Sequence, residues 1–282
     1  MGWHRSFAVW TLASATLVPA CCGTPPQEPV SPPPQQAVCD PAAIPEPAWA
    51  DEVLSAGDAA RILREAQGDP EKAESLAKMR EIFYVADLSW ASGSEASAER
   101  LLRRFEREFE NPRYLSAEDV QTALADMRRI ADAYPPPPPP DDPQATYYGW
   151  NKVEAMLEPV EGLLPTVGEA FDELLRMPQE LVLPFLVDQY FTGDFYHPYN
   201  MSNRLFTLLT TSGFGYEVLG VVEARLEHGD PGEGADNIYG LYWSDAVGAA
   251  REILGPEFDD WYCRVHGNSF DEDRVRHARA GD

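Results

Sequence analysis

Apolar residues in the first half of the chain recur at steps of three and four, which places them on one face of an α-helix. Two such stripes are Leu76, Met79, Phe83, Ala86 and Trp90, and Val120, Leu124, Met127, Ala131 and Tyr134. Asp69 before Pro70, and Ser116 before two acidic residues, have the pattern of helix N-caps. With two further helices, at 58–67 and around 101–109, the pattern predicts a bundle of about four helices over 48–134.

Apolar stripes continue in the second half, where prolines and aromatic residues interrupt them. The stripes are Val167, Phe171, Leu174 and Leu175; Leu205, Leu208 and Leu209; and Val218, Leu219, Val222 and Leu226. The same region contains Pro159, Pro165, Pro178 and Pro184. We expect these prolines to break it into short helices. Since no segment alternates with period two, the sequence predicts an all-α fold with an irregular, aromatic-rich helical domain at 147–265.

Proline-rich and polar segments divide the chain further. The prolines between Gly23 and Pro47 predict an extended, disordered stalk over 21–47. Six consecutive prolines, Pro135–Pro140, predict a stiff spacer at 135–146. This spacer either separates two domains or crosses the surface of one. The polar residues 266–282 predict a disordered tail.

The charge balance restricts the classes of partner. Lys and Arg number 22 against 47 for Asp and Glu, so the formal net charge is -25. Such an excess of negative charge argues against nucleic acid or an anionic bilayer surface as the partner. The sequence also lacks the motifs of nucleotide-binding loops and nucleophilic hydrolases. It therefore predicts no cofactor, no metal ion and no catalytic residues, and it does not indicate an enzyme.

The first 20 residues have the layout of a secretory signal, with a basic start and an apolar stretch, Phe7–Val18, that is too short to span a bilayer. The residues Val18, Pro19, Ala20 and Cys21 resemble the lipobox of bacterial lipoproteins. The resemblance implies that a signal peptide at 1–20 is removed and that Cys21 carries the lipid anchor, with palmitate among its acyl chains, on the outer membrane of the cell envelope. Ordinary cleavage at the same bond would instead give a periplasmic or secreted protein.

The remaining cysteines fit an exported chain. Cys39 lies towards the end of the stalk, and Cys263 ends the last predicted helix. In an oxidising compartment, a disulfide between them would tie together the two ends of the folded region. A zinc site is the competing interpretation, but the sequence contains neither a CxxC pair nor an HExxH motif.

The most suggestive segment for binding is Asp188–Asn200, which mixes aromatic, acidic and amide side chains between two helices. Its candidate ligand-binding residues are Asp188, Tyr190, Asp194, Tyr196, His197 and Tyr199. Apolar faces beside a few polar groups are typical of sugar or peptide grooves. The alternative is that the rings lie in the core and the acidic groups remain in solvent. An acidic loop, His228–Asn237, could bind Ca²⁺ or be a solvated turn, since its spacing is not that of an EF-hand.

These observations predict a cell-envelope lipoprotein, attached to the membrane through Cys21, whose acidic helical module binds an unidentified protein or cell-wall ligand. The alternative is an envelope hydrolase that acts on cell-wall glycan or peptide. In that alternative, Asp188, Asp194 and His197 would lie near the cleft.

Overall fold

The computed structural model describes residues 39–91, 95–161, 163, 165–196, 198–228 and 237–273. The predicted signal segment, the lipidation site at Cys21 and the stalk before Cys39 lie outside these residues. So do His197 and positions 229–236 of the acidic loop. The described residues all belong to a unit that begins at Cys39.

The predicted all-α class is confirmed, since the described residues form eleven α-helices and no strand. The helices are α1 (Ala56–Ala66), α2 (Pro70–Leu88), α3 (Glu95–Glu108), α4 (Ala117–Ala133), α5 (Ala145–Glu161), α6 (Val167–Leu175), α7 (Gln179–Thr192), α8 (Pro198–Thr211), α9 (Leu219–His228), α10 (Asn237–Leu254) and α11 (Phe258–His266). Within the described ranges, none of them has both the length and the apolar character needed to cross a membrane.

The helices begin where side chains can satisfy their free N–H groups. The predicted caps are present: Asp69 accepts from the backbone of α2 with Pro70 in the first turn, and Ser116 accepts from Asp119 N in α4. Thr166 and Glu169 form a reciprocal capping box at α6. Local hydrogen bonding therefore sets these boundaries.

Two of the prolines expected to break helices lie inside them. Pro159 is near the end of α5, and Pro184 is in the second turn of α7. A proline removes one backbone hydrogen bond and crowds the preceding turn. Pro184 is nevertheless a buried residue of α7. Pro165 and Pro178 do lie between helices.

Helix α2 lies between two apolar cores, and its residues from Glu81 to Leu88 are all buried. The first core combines one side of α2 with α1 and with α6 to α11. The second core combines Tyr84, Val85 and Leu88 of α2 with α3, α4 and α5. The predicted stripe on α2 is buried except at Trp90, which follows the helix and is half-buried.

The run Pro135–Pro140 connects α4 to α5, and both of these helices pack in the second core. At the start of α5, the hydroxyl of Tyr148 donates to the carbonyl of Pro135 at 2.7 Å, and its ring contacts Tyr134 at 5.6 Å. Because α1 shares the first core with helices that follow the run, the prolines cross one folded unit. Residues 48–134 and 147–265 do not have separate cores.

Both ends of the described region pack against the body. Cys39 is bonded to Cys263 of α11, as predicted, with an S–S distance of 2.01 Å and a Cα–Cα distance of 5.7 Å. Residues 41–43, which the sequence places in the disordered stalk, form a 3₁₀ turn that contacts α11. Phe270, in the predicted disordered tail, is buried and stacks on Trp243 at 5.7 Å. Tertiary contacts hold both segments, and local periodicity does not reveal such contacts.

Candidate functional site

The segment Asp188–Asn200 spans the end of α7, a short connection and the start of α8. Asp188 and Tyr190 are half-buried, Asp194 and Tyr199 are exposed, and Tyr196 is buried. Asp194 and Tyr196 share one contact, the guanidinium of Arg100, which lies 2.6 Å from Asp194 Oδ1 and 5.1 Å from the centre of the Tyr196 ring. The described candidates are thus spread over several environments rather than gathered in one groove.

The connection after α7 begins at Gly193, which caps the helix in an extended conformation. The Gly193 N–H donates to the carbonyl of Gln189 at 2.9 Å, and a Cβ at Gly193 would collide with the Phe195 ring. The missing side chain therefore allows Phe195 to enter the first core while Tyr196 enters the second. Two of the aromatic residues in the segment are core residues, which is the alternative that the sequence left open.

A buried polar cluster holds this connection against α2 and α3. Asp87 of α2 has a fully buried carboxylate that accepts from Arg104 Nη1 at 2.7 Å and from the Tyr196 N–H at 3.2 Å. The guanidinium of Arg104 lies 4.7 Å from the Tyr84 ring centre and 5.0 Å from that of Tyr196. The hydroxyls of Tyr84 and Tyr196 are 3.2 Å apart. We name these four residues the α2–α3 polar cluster.

Burial controls protonation in the α2–α3 polar cluster. Loss of hydration raises the pKa of Asp87 to about 6, although Arg104 and the Tyr196 N–H favour its ionised form. Burial also raises the pKa of Tyr84 and of Tyr196, so both phenols are neutral hydrogen-bonding groups. Asp87 has a pKa suited to acid–base chemistry, but its side chain is inaccessible. The cluster is therefore a docking contact for the connection after α7.

An open groove of about 410 Å³ lies where the end of α2 approaches α6 and α8. It is lined by Trp90, Phe171, Asn200, Asn203, Arg204, Thr207, Leu208 and Thr211. This volume is within the range of small-molecule sites, roughly 300–1,000 Å³. None of these lining residues is acidic, in a chain whose net charge is -25. We name this groove, with the eight residues that line it, the α8 groove.

Six of the lining residues form one stripe along α8, because they recur at steps of three and one from Asn200 to Thr211. The opposite stripe, which includes Met201, Leu205 and Leu209, is buried in the first core. Leu208, which the sequence places in the core, is half-buried and lines the groove instead. One helix thus anchors itself with its apolar face and presents amides, hydroxyls and a guanidinium on the other.

A buried arginine on a neighbouring helix fixes the orientation of the Asn203 side chain. Arg225 of α9 donates from Nη2 to Asn203 Oδ1 and lies 4.7 Å from the ring centre of Phe206. A guanidinium can only donate, so the amide oxygen of Asn203 must face Arg225. The amide nitrogen of Asn203 is therefore left to donate on the groove side.

Trp90 and Arg204 form the other polar part of the α8 groove. The guanidinium of Arg204 lies 5.7 Å from the Trp90 ring centre, and Arg204 has no carboxylate partner among the described residues. The indole N–H of Trp90 is buried and has no acceptor in the described part of the chain. A buried donor without a partner costs about 1–3 kcal/mol. The Arg204 guanidinium therefore supplies donors to the groove.

The acidic loop after α9 adds no described metal site. Positions 229–236, which include Asp230 and Glu233, lie outside the described residues. Across the ranges that the structure covers, no three His, Cys, Asp or Glu side chains are placed to hold a metal ion together. The calcium interpretation therefore stays a prediction of the sequence.

The residues of the α8 groove were not among those predicted from the sequence, except that Asn200 closes the predicted segment. The sequence does contain a pattern that indicates the groove. The polar residues Asn200, Asn203, Thr207 and Thr211 follow a helical spacing on the face opposite the apolar stripe. Comparisons with protein-family models, with curated proteins and with solved structures find no match to this chain.

Proposed function

We propose that this protein is a ligand-binding lipoprotein of the cell envelope, held by acyl chains on Cys21, whose α8 groove binds a small cell-wall ligand. The groove carries the binding part of the proposal. It combines an aromatic wall at Trp90 and Phe171 with an amide, Asn203, that Arg225 holds in one orientation. A pre-oriented polar group beside apolar surface is what a selective small-molecule site requires.

The anchoring part rests on the lipobox-like residues and on the disulfide. A bond between Cys39 and Cys263 is expected in an exported protein and unusual in a reducing cytoplasm. Several acyl chains, at about 0.8 kcal/mol for each buried CH₂, attach a protein stably without a transmembrane helix.

A labelling experiment tests the anchor. Bacteria that express the full chain with radiolabelled palmitate should incorporate label into it, and Cys21→Ala should abolish the incorporation, because the acylated thiol is gone. Cys22→Ser is the matched control and should remain labelled. Labelling that is unchanged in Cys21→Ala would show that Cys21 is not the anchor.

A binding experiment tests the groove. Three probes represent cell-wall chemistry: a disaccharide of N-acetylglucosamine, a disaccharide of galacturonic acid, and the dipeptide alanyl-alanine. At least one should raise the Tm of the purified full chain, because a ligand that binds only the folded state stabilises it. Thr207→Trp should remove this increase by filling the groove.

The matched control for the binding experiment is Thr122→Trp, at an exposed position of α4. It introduces the same side chain away from the α8 groove and should leave the increase in Tm unchanged. The groove is not the binding site if none of the three probes raises the Tm, or if the increase persists in Thr207→Trp.

The alternative, an envelope hydrolase, stays a prediction from the sequence. Asp194, one of the residues expected near the cleft, is paired with Arg100 on α3, and Asp188 is half-buried on α7. Neither carboxylate lines the α8 groove. No observation among the described residues favours this alternative.

A further inference from the structure

The lining of the α8 groove specifies the chemistry of its ligand. Three of its polar side chains, Asn203, Arg204 and Thr207, lie on one face of α8 within five residues. The Asn203 amide has its oxygen engaged by Arg225, so it presents N–H groups. Arg204 can only donate. A ligand that satisfies these groups must supply acceptor oxygens.

The charge of the lining residues further restricts the class of ligand. An acidic surface would ordinarily repel an anion, but repulsion between exposed charges is screened beyond about 8 Å at physiological ionic strength. The charge among the lining residues therefore determines which charged ligands the groove favours. That charge is the Arg204 guanidinium. The planar guanidinium fork matches a carboxylate with two parallel hydrogen bonds. A cationic ligand, in contrast, would find no acidic side chain among the lining residues.

The rest of the groove suits a sugar ring better than a purely apolar body. Amide and hydroxyl groups at Asn200, Asn203, Thr207 and Thr211 alternate with the apolar surface of Phe171 and Leu208. Sugars present hydroxyl groups around a ring whose C–H faces pack on apolar surface. Fixed hydrogen-bonding groups beside such surface recognise both parts of the molecule.

We infer that the α8 groove binds an acidic saccharide, with the sugar carboxylate on Arg204 and the sugar hydroxyls on Asn203 and Thr207. This inference rests on the proposed binding function and specifies its ligand class. It involves no covalent step. Arg225 acts as a positioning residue, because it holds the Asn203 amide with its nitrogen directed to the ligand.

The test compares two ligands that differ in the carboxylates. The purified full chain is titrated calorimetrically with digalacturonate and with galactobiose, its neutral counterpart. Digalacturonate should bind about 10- to 100-fold more tightly, as expected for one charge-assisted contact. Salt should weaken the binding of digalacturonate more than that of galactobiose.

Variants of Arg204 test whether the carboxylate of the ligand binds this side chain. Arg204→Gln retains a hydrogen-bonding side chain without the charge, and it should reduce digalacturonate affinity to that of galactobiose. Arg204→Lys should restore part of the difference, since it keeps the charge without the fork. The matched control is Arg64→Gln on the exposed surface of α1, which should bind digalacturonate like the unmodified chain.

The outcomes separate this inference from the proposed function. Equal affinity for the two disaccharides, or an Arg204→Gln variant with unchanged affinity, overturns the inference, whereas the groove proposal stands if Thr207→Trp still abolishes binding. Arg204-dependent binding of alanyl-alanine as tight as that of digalacturonate also overturns it, because the site would then recognise a carboxylate without the sugar. No binding of digalacturonate at all overturns it directly.

Discussion

Replacing both bridged cysteines, as Cys39→Ser with Cys263→Ser, should lower the free energy of unfolding by about 5 kcal/mol, according to the chain-entropy account of disulfides. The two cysteines are 224 positions apart, so the bond restricts nearly the whole unfolded chain. Because the folded state already brings the two residues together, removing the bond mainly increases the freedom of the unfolded state. Guanidinium denaturation measures the loss directly.

Two controls accompany this experiment. Reduced unmodified chain should have the stability of the double variant, because both lack the same bond. Cys22→Ser should retain full stability, since it changes a cysteine outside the bridge. A loss below about 1 kcal/mol in the double variant would contradict the prediction, as it would equal an ordinary surface substitution.

Replacing Arg104 by methionine should cost about 3–5 kcal/mol near pH 8, as expected when one partner of a buried ion pair is removed. Methionine keeps much of the apolar bulk between Tyr84 and Tyr196, so the loss reports mainly on charge. Asp87 would remain fully buried without its cation. Urea denaturation of the variant and the unmodified chain, at several pH values, gives the difference.

The cost of Arg104→Met should shrink as the pH falls. In the unmodified chain, burial already raises the pKa of Asp87 to about 6 from its ordinary value of 3.8. A carboxyl whose folded pKa is raised contributes stability below about pH 4, and this contribution is lost as the pH rises through 6. Without Arg104, the pKa of Asp87 should rise further, so the variant should continue to lose stability above pH 6, where the stability of the unmodified chain no longer depends on Asp87.

Two further variants isolate the buried charge. Asp87→Asn with Arg104→Met should be more stable near pH 8 than Arg104→Met alone, because the neutral amide can still accept from the Tyr196 N–H. Arg103→Met is the matched control, since its exposed pair with Glu99 is worth at most about 1 kcal/mol. The same cost for Arg104→Met at pH 4 and pH 8 would refute the charge explanation.

The helical spacing of apolar residues predicts a helix correctly where that helix buries a single stripe of side chains. The stripe from Leu76 to Ala86 and the caps at Asp69 and Ser116 are of this kind. Local pattern could not show that α2 serves two cores, because a helix buried on both sides loses its polar face. An isolated acid in the run Phe83–Leu88 was the available signal for a buried ion pair at Asp87.

The candidate site was less accessible to sequence reasoning. The aromatic residues in the segment from Asp188 to Asn200 predict a binding surface, yet Phe195 and Tyr196 pack in the cores. The α8 groove depends on residues far apart in the chain, since Trp90 and Phe171 meet a stripe on α8. The orientation of Asn203 depends in turn on Arg225, on another helix. These contacts between residues of different helices arise from tertiary packing, and they leave only a weak pattern in the sequence.

The disulfide also determines how the protein would carry mechanical load. Residues 39–263 lie inside a loop closed by the covalent bond between Cys39 and Cys263. Tension applied between a point before Cys39 and a point after Cys263 passes through the two sulfur atoms. The helices within the loop, including α8 and its groove, are then not in the line of force. A body pulled by its two ends could thus remain folded while the segments outside the loop extend.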